Sequence, residues 1–257
     1  MTAADRLQQM LLAAIERLAT VLDGAEFERG DGYCFMSFPT FPIRDLNGIW
    51  ADSDAAAGQL EDGRLRAAEL GTPFIVMTRA GKTPGVEAAA RELGLTNEIE
   101  FPGMTVTPEQ FKTPAMEPEL VRADSAELLA QALAVGASGF GAPPTLIASV
   151  YSLEVAQLEG LEMYLAQADG ADVSTAVGFT VDKATAIFSV ATPEEHRGRG
   201  YGAAVTAAAV RGGFTRGADL AGLQSSPLGE SVYRRLGFQE VETYRLFAPP
   251  TKVSATS

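Results

Sequence analysis

Cysteine, histidine and tryptophan are almost missing from this chain: Cys34, His196 and Trp50 stand alone among 257 residues. A lone cysteine closes no internal disulfide, and with a lone histidine it builds no conventional zinc site, which sets aside disulfide-scaffold, zinc and dithiol chemistry. Positive charge is scarce too. Twenty Lys and Arg face 33 Asp and Glu, a formal net charge of -13, which speaks against a broad basic face for a nucleic-acid backbone. No apolar run approaches the ~18 residues of a membrane span. The N-terminus lacks the basic start and unbroken apolar core of a secretory signal. The expectation is a soluble, cytoplasmic protein without metal, nucleic-acid or membrane partners. With 46% hydrophobic residues, the chain can bury one or two packed cores, and disorder is excluded as its main state.

Helical and strand-like periods alternate along the chain, so the expected class is α/β (α+β), a mixed central sheet flanked by helices. Leu7, Met10, Leu11, Ala14, Ile15 and Leu18 form one helical stripe. The stretch from Phe111 to Pro118 combines two prolines with no apolar period and reads as a linker. It divides the chain into an N-terminal domain 1–111, a linker 112–118, a C-terminal domain 119–250 and a frayed tail 251–257. In the C-terminal domain a strand is expected over Glu119–Arg122, then a helix capped by Asp124/Ser125 and running through Leu128, Leu129, Leu133 and Val135. After the loop Gly139–Pro144, a second helix is expected over Thr145–Glu154. Strands follow at 160–168, 174–181 and 184–191, with a tight turn at Asp182-Lys183. Helix 202–213, strand 220–224, helix 228–236 and a final strand pair over 239–247 complete the domain.

Aligned without a gap, residues 84–95 and 227–238 share Pro, Glu, Arg, Leu and Gly, and each copy follows an apolar strand. Leu-Gly after a helix is partly generic capping chemistry. The match nevertheless points to a repeated strand-helix-strand unit, with unrelated units as the alternative.

The sharpest local feature is Ser189-Val-Ala-Thr-Pro-Glu-Glu-His-Arg-Gly-Arg-Gly-Tyr-Gly-Ala-Ala204, where an apolar strand gives way to a helix. Alternating glycines let the backbone approach a ligand, and the N–H groups of the loop with the positive end of the helix dipole suit an anion. Arg197 and Arg199 add charge. No Gly-Lys-[Ser/Thr] follows, so this is not a Walker loop. Its late position fits the dinucleotide fingerprint poorly.

Here the chain resembles the GNAT superfamily, the GCN5-related N-acetyltransferases. Arg197-Gly-Arg-Gly200-Tyr-Gly202 matches that family's [Gln/Arg]-x-x-Gly-x-[Gly/Ala] pyrophosphate loop. Tyr233-Arg-Arg-Leu-Gly237-Phe238 matches its second signature. The resemblance covers roughly residues 118–248. Pro193 stands one residue further from Arg197 than is usual. The resemblance implies a catalytic GNAT domain at 119–250, with 1–111 as a degenerate GNAT-like partner in which Ala90 takes the place of Tyr233 and no anion loop precedes Pro73.

It further implies an acetyl-CoA-dependent N-acetyltransferase acting by direct transfer to the amine of a small-molecule or peptide acceptor. Gly198, Arg199, Gly200, Tyr201, Gly202 and Ala203, together with Arg197, would hold the diphosphate. Val190, Ala191 and Thr192 would pair with the pantetheine arm, and Ser226 would contact the cofactor. Backbone N–H groups at that strand opening suit an oxyanion. Tyr233, with a reference pKa of about 10, would protonate a thiolate of pKa about 8.5. Some relatives place a basic Glu twelve residues before the tyrosine; here that residue is Ala221, which leaves Glu154 and Glu162 as weak substitutes. His196 is expected at the surface or the cofactor edge, Cys34 and Trp50 in the core, and Phe140 either as an acceptor-pocket wall or as an anchor. Phe38, Phe41 and Trp50 are candidates to wall the acceptor cleft. The alternatives are an acyl-CoA-binding sensor or scaffold without turnover, and a nucleotide-binding protein of another fold.

Overall fold

The computed structural model describes residues 1–250; the tail 251–257, expected to fray, lies outside the described residues. In chain order the elements are helix α1 (Ala3–Ala19), strands β1 (Glu26–Gly30), β2 (Tyr33–Ser37) and β3 (Gly48–Ala51), helix α2 (Leu60–Glu69), strand β4 (Ile75–Arg79), helix α3 (Pro84–Glu92), and strands β5 (Asn97–Val106) and β6 (Glu119–Arg122). Helices α4 (Ala126–Phe140), α5 (Pro144–Ala148) and α6 (Leu153–Ala156) follow, then strands β7 (Leu161–Ala168), β8 (Ala171–Val181) and β9 (Ala184–Ala191). The chain continues with helix α7 (Tyr201–Thr215), strand β10 (Leu220–Gln224), helix α8 (Glu230–Arg235) and strand β11 (Gln239–Ala248). Among the described residues no helix is long and apolar enough to cross a membrane, and no group of His, Cys, Asp and Glu could hold a metal ion.

Two compact units form, and their borders differ from the expected linker. The first comprises Met1–Val21 and Pro102–Val241; the second comprises Leu22–Phe101 and the chain from Glu242. Residues 1–111 therefore form no self-contained body, because long-range pairing overrides the chain order. Helix α1, started by a capping box between Thr2 and Asp5, lays Leu7 and Met10 against Gly222 of β10, where a Cβ would stand 2.7 Å from each side chain. The second half of β5 pairs antiparallel with β10, from Ala221↔Val106 to Gln224↔Gly103. In the other unit, Tyr244 to Phe247 of β11 pair antiparallel with β4. Each unit is thus finished by a strand that follows the other unit's strand-helix segment.

In the first unit the strand order is β5-β10-β9-β8-β7-β6, antiparallel except for the parallel pair β9/β10. Period-two alternation sends neighbouring residues to opposite faces. Ala221, Leu223 and Ile187 join Ala207, Ala209 and Val210 of α7 in one buried cluster, while Gly222 meets α1. In the second unit β1, β2, β3, β4 and β11 lie in that order, with β3/β4 the parallel pair. Phe35, Ile49, Val76 and Phe247 pack against Leu60 and Ala67 of α2 and Val86 and Ala90 of α3.

Segment 112–118 is not a free linker. Just before it, Phe111 stands edge-on to Phe214 at 6.0 Å. Arg211 of α7 lies over the Phe111 ring at 5.7 Å and 3.8 Å from Glu117. Two further expectations need correction. The helix expected over 145–154 breaks into α5 and α6, because Ser149 turns its hydroxyl back to Leu146 O and Ser152 caps a new start by accepting Val155 N–H. The expected terminal strand pair is the single ten-residue β11; no turn residue interrupts Gln239 to Ala248.

Candidate functional site

The parallel pair β9/β10 is bonded only at Leu220↔Ala184, Ala221↔Thr185 and Gly222↔Ala186. Beyond those three pairs, β10 stays with β5 as far as Gln224 and β9 stays with β8 as far as Ala191. The two strands part, and backbone groups between them become available to an extended ligand. On its other edge β9 carries a bulge: Thr175 faces Ala191, but Val177 faces Phe188, so one extra residue is fitted in. Ser189 adopts φ 51 at this point, a left-handed conformation within a strand.

The predicted pantetheine residues Val190, Ala191 and Thr192 occupy this parted end. Ser174 Oγ fixes it by donating to Ala191 O at 2.8 Å and sharing a hydrogen bond with Thr192 Oγ1 at 2.8 Å. The last turn of α4 presses on the same place: a Cβ on Gly139 would lie 2.9 Å from Ala191 Cβ and 3.0 Å from Thr192 N. Glycine is therefore required there for close approach. The loop expected from Gly139 begins two residues later, since α4 runs to Phe140 and ends in a left-handed Gly141. Phe140 is exposed.

Next comes the glycine loop. Gly198 and Gly200 take φ 76 and 89, and Gly200 is the N-cap of the 15-residue α7, whose first turn holds no acidic residue. The N–H groups opening α7 are orphans of the helix ladder and sit at the positive end of its dipole. Arg199 is exposed and forms no ion pair among the described residues. Arg197 is held by backbone carbonyls: its Nε donates to Thr192 O at 3.0 Å and an Nη donates to Gly139 O at 3.1 Å. It ties the loop to β9 and α4. Tyr201 is buried, and Gly202 and Ala203 are half-buried at the helix start. Met116 covers one side of the loop, its Cβ 3.1 Å from where a Cβ on Gly200 would stand.

Tyr233, on α8, is 8% exposed, its ring folded back over Gly229 and 5.8 Å from that of Phe238. Burial pushes its phenol up to about 12, so it keeps its proton at neutral pH. Its hydroxyl has no hydrogen-bond partner among the described residues. Ser226 is exposed just before α8, its Oγ accepting Gly229 N–H at 3.3 Å.

The two substitute bases do not belong to the opening. Glu154 is exposed on α6. Glu162 turns toward α7: Arg122 and Arg216 each approach its Oε1 at 3.2 Å, and Tyr164 donates to its Oε2 at 2.8 Å. Burial opposes its charge, yet the Tyr164 hydroxyl and the guanidiniums outweigh burial and hold it below the usual carboxylate range. A paired carboxylate of this kind is a poor base. Tyr151 was missed by sequence reasoning. It falls in the break between α5 and α6, is 6% exposed, and its hydroxyl lies 2.7 Å from Ser189 Oγ. The Ser152 cap was the available sign of that break.

Residues 169–246 match the family described as FR47-like protein. Across its length the chain is similar to a GCN5-related N-acetyltransferase from Kribbella flavida, with 22% identity, 98% of each chain covered and a TM-score of 0.76. This is the GNAT fold. The same fold relates the chain to a GCN5-related N-acetyltransferase from Sphaerobacter thermophilus (18% identity, 94% of this chain and 89% of that chain, TM-score 0.61). It is also similar to a functionally unknown conserved protein from Staphylococcus epidermidis (12% identity, 90% and 97% covered, TM-score 0.66). No curated protein sequence matches the chain. The match to the Kribbella protein spans both units, so the GNAT likeness is not confined to the segment that carries the motifs.

Proposed function

We propose that the chain is an acetyl-CoA-dependent N-acetyltransferase that passes the acetyl group directly to an amine of a small molecule or peptide. The observation that carries this reading is the parting of β9 and β10 beyond Ala186 and Gly222, on the strand that leads into the acid-free start of α7. The residues fit the group. The N–H groups of Gly198 to Ala203, with Arg199, would take the diphosphate; Val190, Ala191 and Thr192 would offer backbone partners to the amide-rich arm; Ser226 stands exposed at the start of α8 for a further contact. Arg197 serves by holding the loop in shape. Acetyl-CoA, when bound, supplies an activated thioester.

The amine nitrogen gains the acyl carbon as the carbon–sulfur bond breaks, the amine loses a proton to solvent, and the departing thiolate gains one. Tyr233 suits that last step, being buried and protonated at neutral pH. The acidic chain, at net charge -13, steers cationic acceptors such as polyamines, aminoglycosides or lysine-bearing peptides. We assign the site to the first unit and take the second as a degenerate relative. The missing carboxylate at Ala221 and the paired state of Glu162 favour one second reading, a sensor that holds acyl-CoA without turnover. Free-thiol release from acetyl-CoA with a panel of amines separates the two: turnover supports the transferase, and CoA binding with no release under any amine supports the sensor.

A further inference from the structure

We infer that Ser189 is a hydrogen-bond donor to the acyl carbonyl oxygen at the β9/β10 opening, with Tyr151 as the residue that positions it. This rests on the acyltransferase reading above. Among the described residues three non-glycine residues have positive φ: Asp169, Asp182 and Ser189. The two aspartates lie in the turns that join β7 to β8 and β8 to β9, where Asp tolerates the left-handed region. Ser189 lies inside β9, where glycine would adopt the same φ without strain. A serine kept in a conformation that glycine would relieve points to use of its side chain.

The surroundings say what that use is. Tyr151 has a buried ring and a hydroxyl whose hydrogen bond is to Ser189 Oγ at 2.7 Å. A phenol is the stronger donor of the two, so Tyr151 donates and Ser189 accepts. That leaves the Ser189 O–H free, and it has no other partner among the described residues. Ser189 stands at the bulge, three residues past Ala186, the last residue of β9 that pairs with β10. It is placed to meet negative charge as it develops on the carbonyl oxygen, and no proton leaves Ser189.

The test compares the full-length chain with Ser189→Gly, Ser189→Asn and Tyr151→Phe. It reads acetyl-CoA-dependent thiol release with a polyamine, an aminoglycoside and a lysine peptide, CoA affinity by calorimetry, and melting temperature. Ser189→Gly relieves the left-handed φ but takes the partner from the buried Tyr151 hydroxyl, so it is expected to melt within a few degrees of the parent, to bind CoA within about twofold of the parent, and to lose kcat roughly a hundredfold. Ser189→Asn, which tolerates positive φ and keeps a donor, should regain part of that loss. Tyr151→Phe should lower kcat about tenfold with KM for acetyl-CoA unchanged, and adding it to Ser189→Gly should bring no further loss. Parent-like kcat in Ser189→Gly, or a loss that tracks melting temperature or CoA affinity, overturns the inference while the acyltransferase reading stands. A parent that binds CoA but releases no thiol overturns that reading, and the inference with it.

Discussion

The two units repeat one local design and differ at the point where chemistry would occur. In each, a parallel strand pair leads into a helix closed by the same cap. Leu95 N–H reaches Ala90 O at 3.0 Å after α3, and Phe238 N–H reaches Tyr233 O at 3.1 Å after α8, with Gly94 and Gly237 left-handed between. The contrast begins with the strands. β3/β4 stays zipped through all four residues of β3, from Gly48↔Ile75 to Ala51↔Thr78, whereas β9/β10 opens after three pairs.

Charge then separates the two. The stretch after β3 carries Asp54, whose carboxylate accepts Val86 N–H at 3.1 Å at the start of α3. Helix α2 opens with Glu61 and Asp62. The stretch after β9 carries Glu194 and Glu195 in a short turn and then Arg199, glycines and a start of α7 with no acidic residue in its first turn. In the second unit a carboxylate of the chain answers an N–H at the start of α3, while no side chain caps the start of α7 in the first. A shared scaffold is thus compatible with a site in one unit and a packing role in the other.

That contrast can be broken by mutation. The largest stability effect is expected in the second unit. Glu87, with a side chain 7% exposed, is 2.6 Å from Arg245 and accepts Gly81 N–H at 2.7 Å. Glu87→Ala should cost about 3 kcal/mol by leaving Arg245 without this partner, while calorimetry finds CoA affinity in the remaining folded protein unchanged. In the first unit, Tyr233→Phe should lower thiol release about a hundredfold with CoA affinity nearly intact. The counterpart change Ala90→Tyr should bring no activity and cost about 1–3 kcal/mol by overpacking a fully buried position.

Smaller effects follow. Arg199→Glu should weaken CoA about tenfold, near 1.4 kcal/mol. Asp54→Ala in the second unit should leave CoA affinity alone and cost about 1 kcal/mol of stability through the lost cap. One perturbation should not separate the units at all. Burial raises Tyr151 and Tyr233 to about 12 in the first and raises Tyr244 in the second. A phenol with a raised folded pKa contributes stability that is complete below about pH 10 and is lost as pH climbs through about 12. Denaturant midpoints should therefore fall over that alkaline window; a flat profile would show that the phenols are not held neutral by burial.

Much of the fold could be read locally. Strands β6, β9 and β10 were legible to the residue because apolar alternation ends at polar or glycine-rich breaks. The loop from Arg197 to Ala203 was legible because alternating glycines at a strand-to-helix junction carry a physical requirement. What escaped was non-local. Nothing in residues 97–106 or 239–248 says that β5 finishes the β10 edge and β11 the β4 edge, since pairing partners far apart in sequence leave no mark in period or composition. The apolar run from Thr145 hid the break at Tyr151. Arg197 looked like a free cation because its acceptors, Thr192 O and Gly139 O, are backbone atoms that only the fold assembles.

The most direct test of the central claim is the stoichiometry of CoA binding by titration calorimetry, on the parent chain and on Arg199→Glu. One site per chain, weakened by Arg199→Glu and untouched by Asp54→Ala, is the predicted result. Two sites per chain, or heat of binding that ignores Arg199, would contradict the assignment of the anion site to the open unit.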